Sequence, residues 1–209
     1  METLTTSLAN MLAIEWQIAF ARQTQLLKMI YENRLCIEHY VPAAIEKLEH
    51  QTKIPSVCVS YRHFSYPVAP LRDPVFKHEA SGADAERVFS NCLVQVIEQL
   101  KKFHVGKVSS EEANNQTLSL IKSHEASAQF LWLVCKHKVA LMDYVPNIRI
   151  RPDGKTGRTY YSVSYRHKHF LYREQTKRIF EFASSPETPD FTLEQCMHKV
   201  ISQLREAAN

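Results

Sequence analysis

Val59-Ser-Tyr-Arg-His63 and Val163-Ser-Tyr-Arg-His167 are one pentapeptide written twice, 104 residues apart. Sliding the chain on itself by that distance aligns the two halves without a gap. Tyr40-Val41-Pro42 then falls on Tyr144-Val145-Pro146, Phe76 on Phe180, Cys92 on Cys196, and Val96, Ile97, Gln99 and Leu100 on Val200, Ile201, Gln203 and Leu204. About twenty positions coincide, in runs rather than scattered. The pattern predicts a tandem duplication of an α+β unit, with copies at 1–104 and 105–209. Each copy reads as a long helix, a small antiparallel β-sheet and a C-terminal helix.

The C-terminal helix is the plainest element. Leu193, Cys196, Met197, Val200, Ile201 and Leu204 form an apolar stripe at helical spacing, and Phe89, Cys92, Leu93, Val96, Ile97 and Leu100 repeat it. Cys92 and Cys196 are therefore expected in the core. Thr192 with Gln195 has the spacing of a capping box. The first long helix is expected over residues 7–40, which hold no proline or glycine, and the second from Ser109, capped by Glu112, to about Met142. Residues 102–109 form a short connection.

The middle of the second copy is extended. Asn147–Arg151 precedes the turn Pro152-Asp153-Gly154-Lys155, and Arg158–Arg166 alternates β-formers. Tyr161, Val163 and Tyr165 share one face, with Ile148 and Ile150 able to join it. Tyr160, Ser162, Ser164 and Arg166 point the other way, with Arg149 and Arg151. A third strand is expected over Lys177–Phe182. The first copy departs here. Ala43–Lys53 reads as continued helix, and three prolines interrupt Ser65–Phe76. It is expected to serve packing, dimerisation or a weaker nucleic-acid contact.

Composition narrows the function classes. A chain of 209 residues with 44% hydrophobic and 10% aromatic content is globular. Five cysteines without a close pair point to reduced thiols and a cytoplasmic setting. Residues 1–20 lack the basic start of a signal peptide, and the apolar run Phe130–Val134 is too short to span a membrane. The tight pairs Cys135-x-His137, His167-x-His169 and Cys196-x-His198 lack metal-ligand spacing. No nucleophile elbow, phosphate loop or carboxylate pair stands out. A non-enzymatic protein without cofactor or small-molecule substrate is expected.

Charge is the informative property. Residues 145–178 carry nine Lys and Arg against two acids, a local +7 in a chain whose total is +4. The remainder is therefore net acidic, at −3. A cationic sheet face suits a polyanion, since each phosphate it neutralises releases condensed counterions. The stretch IRIRPDGKTGRTYYSVSYRHKHF, then KRIFEF and TLEQCMHKVISQL, resembles the AP2-like DNA-binding domain. That resemblance covers roughly residues 147–205. It implies a three-stranded sheet packed on one helix that reads duplex DNA, with Arg149, Arg151, Lys155, Arg158, Tyr160, Arg166 and Lys168 as contact residues. The expected function is that of a transcriptional or mobile-element regulator bound to double-stranded DNA. Two other readings stand beside it: an oligomerisation module that forms a homodimer through the apolar helices, and a single-stranded RNA-binding protein whose tyrosines stack on bases.

Overall fold

The computed structural model describes residues 2–48, 54–66, 74–106, 108–153, 156–169, 177–185 and 191–208. Along the chain run α1 (Glu2–Glu32), β1 (Tyr40–Leu48), β2 (Pro55–His63), β3 (Phe76–Ser81) and α2 (Ala85–Phe103), followed by α3 (Glu111–Lys136), β4 (Tyr144–Pro152), β5 (Thr159–His167), β6 (Phe180–Ala183) and α4 (Leu193–Ala208). The strands form two antiparallel sheets, β1-β2-β3 and β4-β5-β6, each ordered as in sequence. The fold is α+β. Among the described residues no helix is long and apolar enough to cross a membrane.

Both sheets follow side-chain alternation. On β5, Val163 and Tyr165 are fully buried, while on β2 Val57, Val59 and Tyr61 are. The C-terminal helices bury the stripes read from sequence, with Cys92 and Cys196 wholly enclosed. Helix α4 begins with the expected box: the Thr192 amide donates to Gln195 Oε1 at 2.8 Å, and the Gln195 amide donates to Thr192 Oγ1 at 3.2 Å.

Several boundaries differ from expectation. Helix α1 stops at Glu32 instead of running to residue 40. Arg34 turns left-handed (φ 57°), and the Leu35 amide bonds back to the Ile30 carbonyl at 2.9 Å, a Schellman-type ending made without glycine. Helix α3 stops at Lys136 in the same way, with Lys138 at φ 55° and the Val139 amide on the Val134 carbonyl at 3.1 Å. Its N-cap is Ser110 rather than Ser109, because the Ala113 amide donates to Ser110 Oγ while Ser109 Oγ donates to the Arg34 carbonyl.

The largest correction concerns residues 43–48, expected as helix and found in strand β1, which pairs along its length with β2 from Tyr40↔His63 to Leu48↔Pro55. Local helix formers yield to the ladder. Residues 49–53 of that expected helix lie outside the described residues. The third strand of the second sheet starts at Phe180, later than the predicted Lys177.

Contacts divide the chain into two compact units, residues 21–121 and residues 1–20 with 122–209. The sequence repeat runs in consecutive halves, but the packing is interleaved. The unit built on β1-β2-β3 takes Leu26, Leu27 and Ile30 from the end of α1, and Ala113 and Ile121 from the start of α3. The unit built on β4-β5-β6 takes Phe130, Leu131 and Val134 from the end of α3, and Ala9 and Ala13 from the start of α1. Each long helix therefore supplies both cores.

Finer details recur at the 104-residue offset. The Tyr61 hydroxyl donates to the Ile37 carbonyl and accepts from its amide, both at 3.3 Å. The Tyr165 hydroxyl accepts from the Leu141 amide at 3.4 Å. Tyr40 Oη donates to the Pro74 carbonyl and Tyr144 Oη to the Arg178 carbonyl, each at 2.9 Å.

Candidate nucleic-acid interface

Register decides which cations share a surface. In β4-β5 the facing pairs Tyr144↔His167, Pro146↔Tyr165, Ile148↔Val163 and Ile150↔Tyr161 lie toward the helices. The intervening pairs Val145↔Arg166, Asn147↔Ser164, Arg149↔Ser162 and Arg151↔Tyr160 form the opposite face. Strand β6 adds Glu181 beside Ser164 and Ala183 beside Ser162. Arg149 and Arg151 are exposed, while Arg166 and Tyr160 are half-buried. Alternate residues of a strand lie about 7 Å apart. The two exposed guanidinium groups therefore rise side by side from β4, with Arg166 four residue pairs, about 13 Å, beyond Arg149.

The other expected contact residues lie elsewhere. Arg158 precedes β5 on the hairpin, exposed, and its carbonyl accepts from the Asp153 amide at 2.7 Å. Gly157 (φ 68°) and the Thr156 hydroxyl on the Asp153 carboxylate complete that turn. Lys155 lies outside the described residues. Lys168 falls beyond the end of β5, its ammonium 2.8 Å from Asp143. The hydrogen bond from Lys168 holds the Asp143 carboxyl below its ordinary range, so this lysine's charge is already matched.

The outer face of the first sheet is also cationic, which the reading of residues 43–53 as helix had hidden. Lys47↔Ser56, Ile45↔Cys58, Ala43↔Ser60 and Val41↔Arg62 share one side of β1-β2, and β3 places Glu79 beside Cys58 and Lys77 beside Ser60. Lys77 is ion-paired with Glu79 at 3.0 Å. The Arg62 guanidinium lies 4.9 Å from the Tyr66 ring centre. All of these except Val41 line a concavity of 220 Å³. The repeat offset offered a sequence signal for this face, since it sets Lys47 on Arg151 and Arg62 on Arg166.

Burial pushes the thiols of Cys36, Cys58, Cys92, Cys135 and Cys196 up, so all five are held in the protonated form. Among the described residues no three His, Cys, Asp or Glu side chains gather as metal ligands would. No family model matches this chain, and no curated protein or solved structure is significantly similar to it.

Proposed function

We propose that the protein binds duplex nucleic acid, DNA first, through the outer face of β4-β5-β6, and acts as a regulator without catalysis. The observation that carries this reading is the register that sets Arg149, Arg151, Tyr160 and Arg166 on one face of β4-β5, away from the core. A two-stranded ribbon fits the B-DNA major groove, where Arg pairs bidentately with guanine edges. Three antiparallel strands followed by a helix is also the order that the AP2-like resemblance implies. Within the same proposal, the recurrences at the 104-residue offset reflect an ancestral tandem duplication.

Fluorescence anisotropy on duplex DNA, single-stranded DNA and RNA across a salt series tests this. Duplex binding should show a log–log salt slope of several units, with Arg149→Ala/Arg151→Ala lowering it by about 2. Absence of duplex binding at ~10 μM protein in low salt would sink the proposal, because non-specific binders reach ~10⁻⁴–10⁻⁶ M even at physiological salt. Tighter binding to single-stranded RNA would move the reading to base stacking.

A further inference from the structure

The concavity on the first sheet has the construction of a small-ligand site. Its floor is the centre of β2, where Ser56, Cys58 and Ser60 carry short side chains. The flanking strands β1 and β3 stand about 10 Å apart, two strand spacings. Their longer side chains, Ile45 on one side and Glu79 with Lys77 on the other, rise above that floor and make a slot. The slot is closed at one end by Arg62 against Tyr66, and Lys47 stands at the other.

Size and charge define what would fill it. At 220 Å³ the space exceeds the roughly 150 Å³ that holds benzene and falls below the ~300 Å³ at which drug-sized pockets begin. That is room for one ring and one compact charged group. The charge must be negative. Glu79 pairs with Lys77 and also interacts with Lys47, whereas among the described residues Arg62 has no ion pair. A guanidinium held over a tyrosine ring keeps its donor edge free for an anion, the geometry that favours phosphate. The thiol of Cys58 is half-buried in the floor and burial raises its pKa, so it lines the slot and alkylates slowly.

We propose that this slot binds a phosphate monoester carried on a planar ring, with Arg62 on the phosphate and Ile45 and Cys58 against the ring. The chemistry has two sources: a free nucleotide, or the 5′-phosphorylated end of a strand. The site belongs to residues 21–121 and does not depend on the duplex reading of the second sheet.

Titration of the full chain with a nucleoside monophosphate, inorganic phosphate, and 5′-phosphorylated and unphosphorylated oligonucleotides separates the sources. Isothermal calorimetry is one readout. The other is the rate of Cys58 alkylation, followed by mass spectrometry with Cys135 as internal reference. Arg62→Ala should weaken the monophosphate about tenfold or more, the loss of a charge-assisted bond. Cys58→Leu, which fills the slot and leaves every cation in place, should abolish binding without lowering the melting temperature. Arg149→Ala/Arg151→Ala should leave monophosphate affinity unchanged. A preference for the phosphorylated oligonucleotide over the free monophosphate assigns the site to strand ends; the reverse order assigns it to free nucleotide. No binding of either at 10 mM, or equal affinity for inorganic phosphate and unaltered Cys58 alkylation, overturns the proposal.

Discussion

Tyr61 and Tyr165 stand at the centre of the doubled pentapeptide, and their depth explains their role. Each is fully buried and each carries its hydroxyl to the backbone of the loop after a long helix, at Ile37 or Leu141. Burial pushes the Tyr61 phenol up to about 12 and raises that of Tyr165 as well, so both stay neutral. Tyr61→Phe and Tyr165→Phe should each cost about 1–2 kcal/mol in denaturant unfolding, the penalty of a buried amide without its acceptor. His124 is half-buried, but its Nδ1 is enclosed and has no hydrogen-bond partner among the described residues. Burial lowers its pKa from 6.5 to about 4. The unfolded chain therefore takes up a proton first as pH falls. Stability is unaffected above pH 6.5 and declines between there and 4, by up to about 3 kcal/mol. Unfolding curves of His124→Leu against pH should be flatter over that window. Arg22 is enclosed too, 5.0 Å from the Phe89 ring and 2.6 and 2.7 Å from Glu46 and Glu86. The carboxylates remain 38% and 75% exposed, which screens the pairs. Arg22→Ala should thus cost about 2 kcal/mol, below the 3–5 typical of a fully buried pair.

At the scale of elements, the sheets protect one edge by borrowing side chains. Gln99 of α2 accepts from the Lys77 amide at 3.1 Å and donates to the Lys77 carbonyl at 3.0 Å, and Gln203 of α4 does the same for Glu181. An amide side chain thereby takes the place of a further strand along β3 and β6. Gln99→Ala and Gln203→Ala should each cost about 1 kcal/mol and speed hydrogen exchange at the amides of Lys77 and Glu181. Alternation made β5 and the outward Arg149, Arg151 and Arg166 legible in the sequence, and the apolar stripes did the same for α2 and α4. Strand β1 was not legible, because Ala43, Ala44, Glu46 and Lys47 are helix formers whose strand state comes from pairing with β2. With β1 misread, Lys47 and Ile45 could not be placed on the same face as Arg62, and the slot stayed out of view. The ends of α1 and α3 were hidden for another reason: Arg34 and Lys138 adopt positive φ with no glycine to announce it.

At the scale of the molecule, the 104-residue period was legible and the interleaving was not. An apolar stripe says that a helix face is buried, and says nothing of which core buries it. Contacts assign residues 111–121 to the first-sheet unit, with Ala113 and Ile121 in its core. A fragment of residues 21–121 should therefore melt cooperatively. A fragment of residues 1–104 follows the sequence repeat but lacks that layer, and should melt lower and bind a hydrophobic dye. Equal melting temperatures would show that the start of α3 is dispensable.

Interleaving also sets an order of events on the ribosome. Residues 21–121 are contiguous and can close as soon as they emerge. Ala9 and Ala13 precede by far the residues that share their core, Phe130, Tyr165 and Leu204. At about 5–20 residues per second, the beginning of α1 waits roughly 10–40 s for its partners. This part of α1 is made long before the residues that enclose it, and it stays exposed through that interval.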